Sequence, residues 1–138
     1  MRLNLGNLDK FKVEDAKEML STSNKNLWEN VILEEIAKYA QENALTKDQA
    51  KQLERTKMLE LLYFDLNGKN QYMSRTGDEY AVRAIQENKH RMYQINELYK
   101  QSSANIRQHV QNFGDQLNQR VAQMQQQTAK NKSTKKAA

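Results

Sequence analysis

Apolar residues recur at steps of three and four along much of the chain, the spacing that gathers side chains on one face of a helix. The strongest such face opens at Trp28, within an Asn26–Glu29 pair that has the spacing of a helix capping box. A helix is therefore predicted to start near Asn26. Tryptophan is also a residue of ligand pockets, but this spacing favours core packing for Trp28. The face comprises Trp28, Val31, Ile32, Ile36, Tyr39 and Ala40.

A second helix is predicted to start at a Thr46–Gln49 capping box and to run to about Asn67. Because only residues 43–45 connect the two helices, we expect them to fold back as an antiparallel hairpin over residues 26–67. Residues 1–25 are predicted to form a leader with one short helix at 15–20, ended by the polar Ser21–Asn24 segment. The inner face of the second helix is predicted to hold Ala50, Leu53, Met58, Leu61, Leu62 and Phe64.

A long third helix is predicted over residues 78–126, after a turn at Asn67–Asn70 and a Thr76–Glu79 capping pair. This stretch lacks proline, and its one glycine, Gly114, suggests a hinge or a close helix crossing. Its apolar residues fall at heptad spacing: Ile85, Met92, Tyr99, Ile106 and Phe113. The companion positions Lys89, Asn96 and Ser103 are polar. We therefore expect the first half to pack on the hairpin and the second half to project.

The predicted fold class is all-α, an antiparallel helical hairpin packed against a long C-terminal helix. This amounts to a three-helix bundle with an extended, coiled-coil-like end. Residues 1–128 would form a single helical domain, and residues 129–138 a basic, flexible tail. The mean hydropathy of −1.00 agrees with long helices that keep polar outer faces.

The projecting half of the long helix carries an apolar stripe that the remaining faces of one chain are too few to cover. We therefore predict an interaction or assembly protein, acting through self-association or through docking of a partner helix, as a structural subunit, an adaptor or a chaperone-like protein. The predicted interface residues are Ile106, Val110, Phe113, Leu117, Val121 and Met124.

The net charge of +5 is concentrated at the C-terminal end, where the last nine residues hold four lysines and no acid. These are Lys130, Lys132, Lys135 and Lys136. Such a segment is typical of a solvated tail, but it is also suited to phosphate contacts. The alternative function is therefore a nucleic-acid-binding accessory or coat protein that uses these lysines without sequence preference.

No motif in the sequence predicts catalysis, a cofactor or a metal. The absence of cysteine removes disulfides and thiolate chemistry, and the glycines form no phosphate-binding loop. Glu87 and His90 have the Glu-x-x-His spacing of di-iron helical bundles, but His109 has no matching glutamate. Only a dimer with Glu34 or Glu35 contributing would complete such a site. We therefore expect a protein that is not an enzyme.

The longest apolar cluster, Leu61–Phe64, is too short to cross a bilayer, and the first residues lack the apolar segment of a signal peptide. The sequence thus predicts no membrane insertion and a cytoplasmic protein, with assembly into a virion or a filament left open.

Overall fold

The computed structural model describes the backbone of residues 3–137 and the side chains of residues 3–123. Over these residues the protein is all-α and contains no strand, which confirms the predicted all-α class, whereas the three-helix bundle predicted within that class is not confirmed. The helices are α1 (Val13–Met19), α2 (Thr22–Leu27), α3 (Leu33–Glu42), α4 (Lys47–Met73), α5 (Glu79–Gln101) and α6 (Ala104–Ala137). No helix in the described part is long and apolar enough to span a bilayer.

The leader is part of the core. A 3₁₀ turn, Leu8–Lys10, is capped by Asn7, whose Oδ1 accepts a hydrogen bond from the backbone N–H of Asp9 at 2.9 Å. The short helix α1 follows, close to its predicted position. The apolar residues of this segment are buried, which explains why the leader packs against the helices instead of extending into solvent. These residues are Leu8, Phe11, Ala16 and Leu20.

The short helix α1 ends at Met19, as the polar Ser21–Asn24 segment predicts, but a new helix starts at once, because Ser21 is the N-cap of α2. Hydroxyl side chains favour either end of a helix, and here Ser21 donates from both its backbone N–H and its hydroxyl to Asp65 on α4. After α2 the chain continues as one π-helical segment, Trp28–Ile32, directly into α3. The helix predicted to begin at Asn26 therefore begins four residues earlier.

The core face predicted on this helix is largely confirmed, and it is the centre of the molecule. Trp28 is 1% exposed, and Ile32, Ile36 and Tyr39 are also buried. Val31 is the exception, with 37% of its surface exposed.

Helix α4 begins as predicted, with the Thr46–Gln49 capping box formed by hydrogen bonds of 3.1 and 2.9 Å. The turn predicted at Asn67–Asn70 is wrong, because α4 continues through it to Met73. Asn70 is buried there, and its Oδ1 accepts from Asn88 of α5 at 3.0 Å. This tertiary hydrogen bond satisfies a side chain that would otherwise favour a turn.

The single helix predicted over residues 78–126 is also wrong. Helix α5 starts after Asp78, which replaces Thr76 as the N-cap, and it ends at Gln101. Ser102 adopts an extended conformation (φ −66°, ψ 155°), and its hydroxyl donates to the Tyr99 carbonyl. Ser103 then accepts from the backbone N–H of Ile106 at 3.1 Å and caps α6. Two adjacent serines thus satisfy both helix ends and allow the chain to turn.

Helix α6 packs back onto α3 and α4 instead of projecting at Ile106. The Tyr39 hydroxyl lies 2.8 Å from Nδ1 of His109, and the Tyr39 ring meets Phe113 edge-on with centroids 5.8 Å apart. Arg120 extends this contact by pairing with Glu35 of α3 at 2.7 Å. Helix α6 thus joins the common core, and its ion pair with α3 lies beside the apolar contact.

Candidate partner-docking groove

Half of the predicted interface residues on α6 are not available at the surface. Ile106, Val110 and Phe113 are 1–2% exposed in the core. The prediction that the chain leaves this stripe uncovered is therefore wrong for these three residues. Leu117 is partly buried against the same core, and Val121 is 42% exposed. Met124 and the four predicted phosphate-contacting lysines, Lys130, Lys132, Lys135 and Lys136, lie outside the described side chains.

The residues considered for metal chemistry are not brought together. Glu87 and His90 are exposed on α5, whereas His109 on α6 contacts Tyr39. Among the described residues there is no cluster of three or more histidine, aspartate or glutamate side chains that could hold a metal ion.

A different apolar surface remains open, between the middle of α4 and the C-terminal half of α5. Its floor is formed by Leu59 and Ile95, which are 0% and 1% exposed. Phe64 stands beside the floor with 60% of its surface exposed, and Tyr63 with 37%. The two rings meet edge-on, with centroids 6.1 Å apart. A buried apolar floor is thus bordered by exposed aromatic rings.

The same surface continues along α5. A neighbouring depression shares Tyr63 and Asn96 with the first and adds Met92, Lys89 and Tyr93, of which Tyr93 is 64% exposed. We call the combined surface the aromatic groove. It is lined by Leu59, Glu60, Tyr63, Phe64, Lys89, Met92, Tyr93, Ile95, Asn96 and Tyr99.

The position of α6 explains why the groove is open. Helix α6 covers α4 at Lys57, whose ammonium group lies 5.6 Å from the centre of the Phe113 ring. Two helical turns further along α4, the Phe64 side chain is exposed, so no helix in the described part of the chain covers the surface there. Helix α6 contacts α3 and α4, and none of its described residues lines the trough between α4 and α5.

The polar groups at one end of the groove are satisfied within the protein. Glu60 accepts a hydrogen bond from Lys57 Nζ at 2.7 Å. Burial raises the pKa of the Tyr99 hydroxyl, the nearby Glu60 carboxylate adds to the rise, and Arg107 opposes it. Tyr99 therefore stays protonated near neutral pH and keeps a hydroxyl donor at the groove. Lys89, at the other end, forms no ion pair with any described residue.

The opposite side of α4 is anchored to the start of α2 through a buried aspartate. Asp65 follows Phe64 directly, yet its side chain is only 1% exposed. Its Oδ1 accepts from the Ser21 hydroxyl and from Asn24, both at 2.6 Å, and its Oδ2 pairs with Lys69 at 2.9 Å. Burial alone would raise the pKa of Asp65, but the hydrogen bonds from Ser21, Asn24 and Lys69 outweigh it and lower the pKa.

Sequence reasoning missed this site by assigning its residues to the core. The sequence pattern predicts Phe64 on the inner face of its helix and Tyr99 in the heptad stripe, whereas both line the groove. The adjacency of Tyr63 and Phe64 is no signal of exposure, because two other adjacent apolar pairs of the same helix, Met58–Leu59 and Leu61–Leu62, are fully buried or nearly so.

Comparisons of this chain with protein-family models, with curated proteins and with solved structures found no match.

Proposed function

We propose that this protein is a non-enzymatic helical interaction protein that docks a helix of a partner protein in the aromatic groove. The observation that carries the proposal is the exposure of Phe64 and Tyr93, at 60% and 64%, beside a fully buried apolar floor. Contiguous exposed apolar surface is characteristic of binding sites. The proposal keeps the predicted class of function but moves the docking site from α6 to α4 and α5.

The residue types in the groove support protein recognition. Tyrosine and phenylalanine present large apolar surfaces with few rotatable bonds, so little conformational entropy is lost when a partner covers them. The groove has a single carboxylate, Glu60, which is engaged by Lys57, so it lacks a free acid–base pair for catalysis. Binding is therefore a better use of this surface than a reaction.

The shape of the groove favours a helix as the ligand. Contacts such as Asn70–Asn88 near the connection and the shared lining of Tyr63 with Met92 show that α4 and α5 run antiparallel. Two antiparallel helices form a trough that a third helix fills by packing its side chains into the grooves between theirs. Helix α6 packs in this way against α3 and the more N-terminal part of α4, and a partner helix would pack in the same way beside Phe64.

The proposal is tested by affinity capture with three variants of the full-length chain. Phe64→Asp and Tyr93→Asp each place a charge in the groove, and Tyr80→Asp is the matched control because Tyr80 is 82% exposed and does not line the groove. We expect a partner that is retained by the wild type and by Tyr80→Asp and is lost with both groove variants. Circular dichroism checks that all variants remain folded.

Light scattering at high micromolar concentration completes the test. A monomer that captures no groove-dependent partner would contradict the proposal. An oligomer dissociated by Phe64→Asp would instead identify a second copy of the chain as the occupant and would support self-association over a separate partner.

A second candidate function is nucleic-acid binding, favoured by the four lysines and no acid in the last nine residues. This function predicts retention on DNA or RNA that weakens steeply with salt and disappears when residues 130–138 are deleted. The docking function predicts that the same deletion leaves partner capture unchanged.

A further inference from the structure

We infer that the partner helix is acidic on the side that meets α5, with a carboxylate placed beside Lys89 and apolar residues placed on the aromatic rings. This inference rests on the proposed docking function and specifies the chemistry of the partner. It is carried by the charge balance of the groove together with the order of residues along α5.

The groove has one unmatched charge, and it is positive. Glu60 is balanced by Lys57 at 2.7 Å, and Lys57 is itself only 8% exposed. Lys89 is exposed and has no ion-pair partner among the described residues, whereas Lys100, further along the same helix, pairs with Glu97 at 3.4 Å. An anionic group on the partner would therefore meet an available cation without breaking an existing ion pair.

The order of residues along α5 places the charge next to the apolar contacts. Lys89 is followed by Met92 and Tyr93 three and four residues later, one helical turn away on the same face. Ten residues separate Lys89 from Tyr99, which corresponds to about 15 Å, or three turns of helix. A partner helix of three to four turns could thus pair one carboxylate with Lys89 and place apolar residues over the rest of the groove.

A protein helix fits these observations better than a nucleic acid. The floor formed by Leu59 and Ile95 is apolar, and the groove offers a single unmatched cation. Nucleic-acid binding requires several cations that follow a phosphate backbone, together with aromatic stacking. We therefore commit to the acidic helix and treat an oligonucleotide as a competing ligand in the test.

The test uses two synthetic amphipathic peptides of about 14 residues, a typical length for one helix. Both carry leucine at helical spacing, and their polar faces carry glutamate in one and lysine in the other. Binding to the full-length protein is measured by calorimetry. We expect the acidic peptide to bind about fivefold more tightly, the scale of one exposed charge pair, with the preference shrinking as salt is raised.

Two charge-reversal variants separate a local effect from the overall charge of the chain. Lys89→Glu should abolish or reverse the preference for the acidic peptide. Arg83→Glu changes the net charge equally but lies outside the groove on the exposed surface of α5, so it should leave the preference intact. An equal response of both variants would show that the acidic peptide senses only the net charge, and it would overturn the inference.

The outcomes for the inference and for the docking function are distinct. Phe64→Ala should weaken both peptides, and if neither peptide binds, or if Phe64→Ala changes nothing, helix docking itself is contradicted. Phe64-dependent binding with no charge preference, or with preference for the basic peptide, contradicts the acidic partner but leaves docking in place. Displacement of the acidic peptide by single-stranded DNA in a Phe64-dependent manner would assign the groove to nucleic acid and overturn both.

Discussion

The apolar stripe on α6 and the aromatic groove on α4 and α5 both consist of apolar residues on helix faces, but the stripe is mostly buried and the groove is largely exposed. On α6, Val110 and Phe113 are 1% exposed because the helix packs on α3 and α4. In the groove, Phe64 and Tyr93 keep 60% and 64% of their surfaces exposed. Periodicity identifies that a helix has an apolar face, whereas the turn at Ser102–Ser103 decides which face the chain covers. The two surfaces should therefore respond in opposite ways to mutation.

The largest expected contrast is in stability. Phe113→Ala removes a fully buried ring from the core and should lower the free energy of unfolding by about 3–5 kcal/mol. Phe64→Ala removes a largely exposed ring, and we expect a change within about 0.5 kcal/mol. Urea unfolding followed by circular dichroism measures both values.

The same pair of variants distinguishes the two surfaces by function. Phe64→Ala should weaken partner capture while the protein stays folded, and the exposed Tyr80→Ala serves as a control for both measurements. Near-equal stability losses for Phe113→Ala and Phe64→Ala would show that the groove is covered in solution, and this result would contradict the difference in exposure between the two surfaces.

The parts of the fold that depend on local patterns could be predicted from the sequence. The Thr46–Gln49 capping box and the Trp28 face follow from residue spacing within one helix, and both are confirmed. The break between α5 and α6 could not be predicted in this way, since Ser102 and Ser103 are tolerated within helices. Their role as caps becomes evident only when Phe113 and Tyr39 meet in the core.

The docking groove could not be predicted for a related reason. Exposure of Phe64 depends on where α6 starts and on the direction in which it runs, and both depend on the unpredicted turn. The prediction of an uncovered apolar surface stays part of the proposal, but its place in the fold follows from tertiary packing.

A second, intermediate effect concerns the anchoring of the groove wall. Asp65→Asn removes the buried negative charge that binds Ser21, Asn24 and Lys69, and we expect a loss of about 2 kcal/mol of stability at neutral pH. The folded state lowers the pKa of Asp65, so its stabilising contribution is present above the pKa of the unfolded chain, about 4. It is lost as the pH falls through the lower pKa of the folded state.

The stability difference between wild type and Asp65→Asn should therefore shrink below about pH 4. Urea unfolding at a series of pH values measures it, and Glu34→Gln, an exposed carboxylate on α3, is the matched control. A difference that stays constant from neutral to acidic pH would show that the Asp65 charge does not anchor α4 to the start of α2.

The smallest expected effect tests whether α6 packs within its own chain. The sequence predicted a hinge or a close helix crossing at Gly114, but a Cβ atom placed there meets no atom within 4 Å. Gly114→Ala should therefore stabilise the protein by about 1 kcal/mol, because alanine favours a helix interior. Gly77→Ala should destabilise the protein by a similar amount, about 1 kcal/mol, since Gly77 has a φ of +70° that strains other residues.

If α6 instead projected and crossed another helix closely at Gly114, alanine would disrupt that crossing and lower the stability of the assembly. The sign of the change at Gly114, with Gly77 as the internal reference, thus decides between a stripe buried in one chain and a stripe shared between chains.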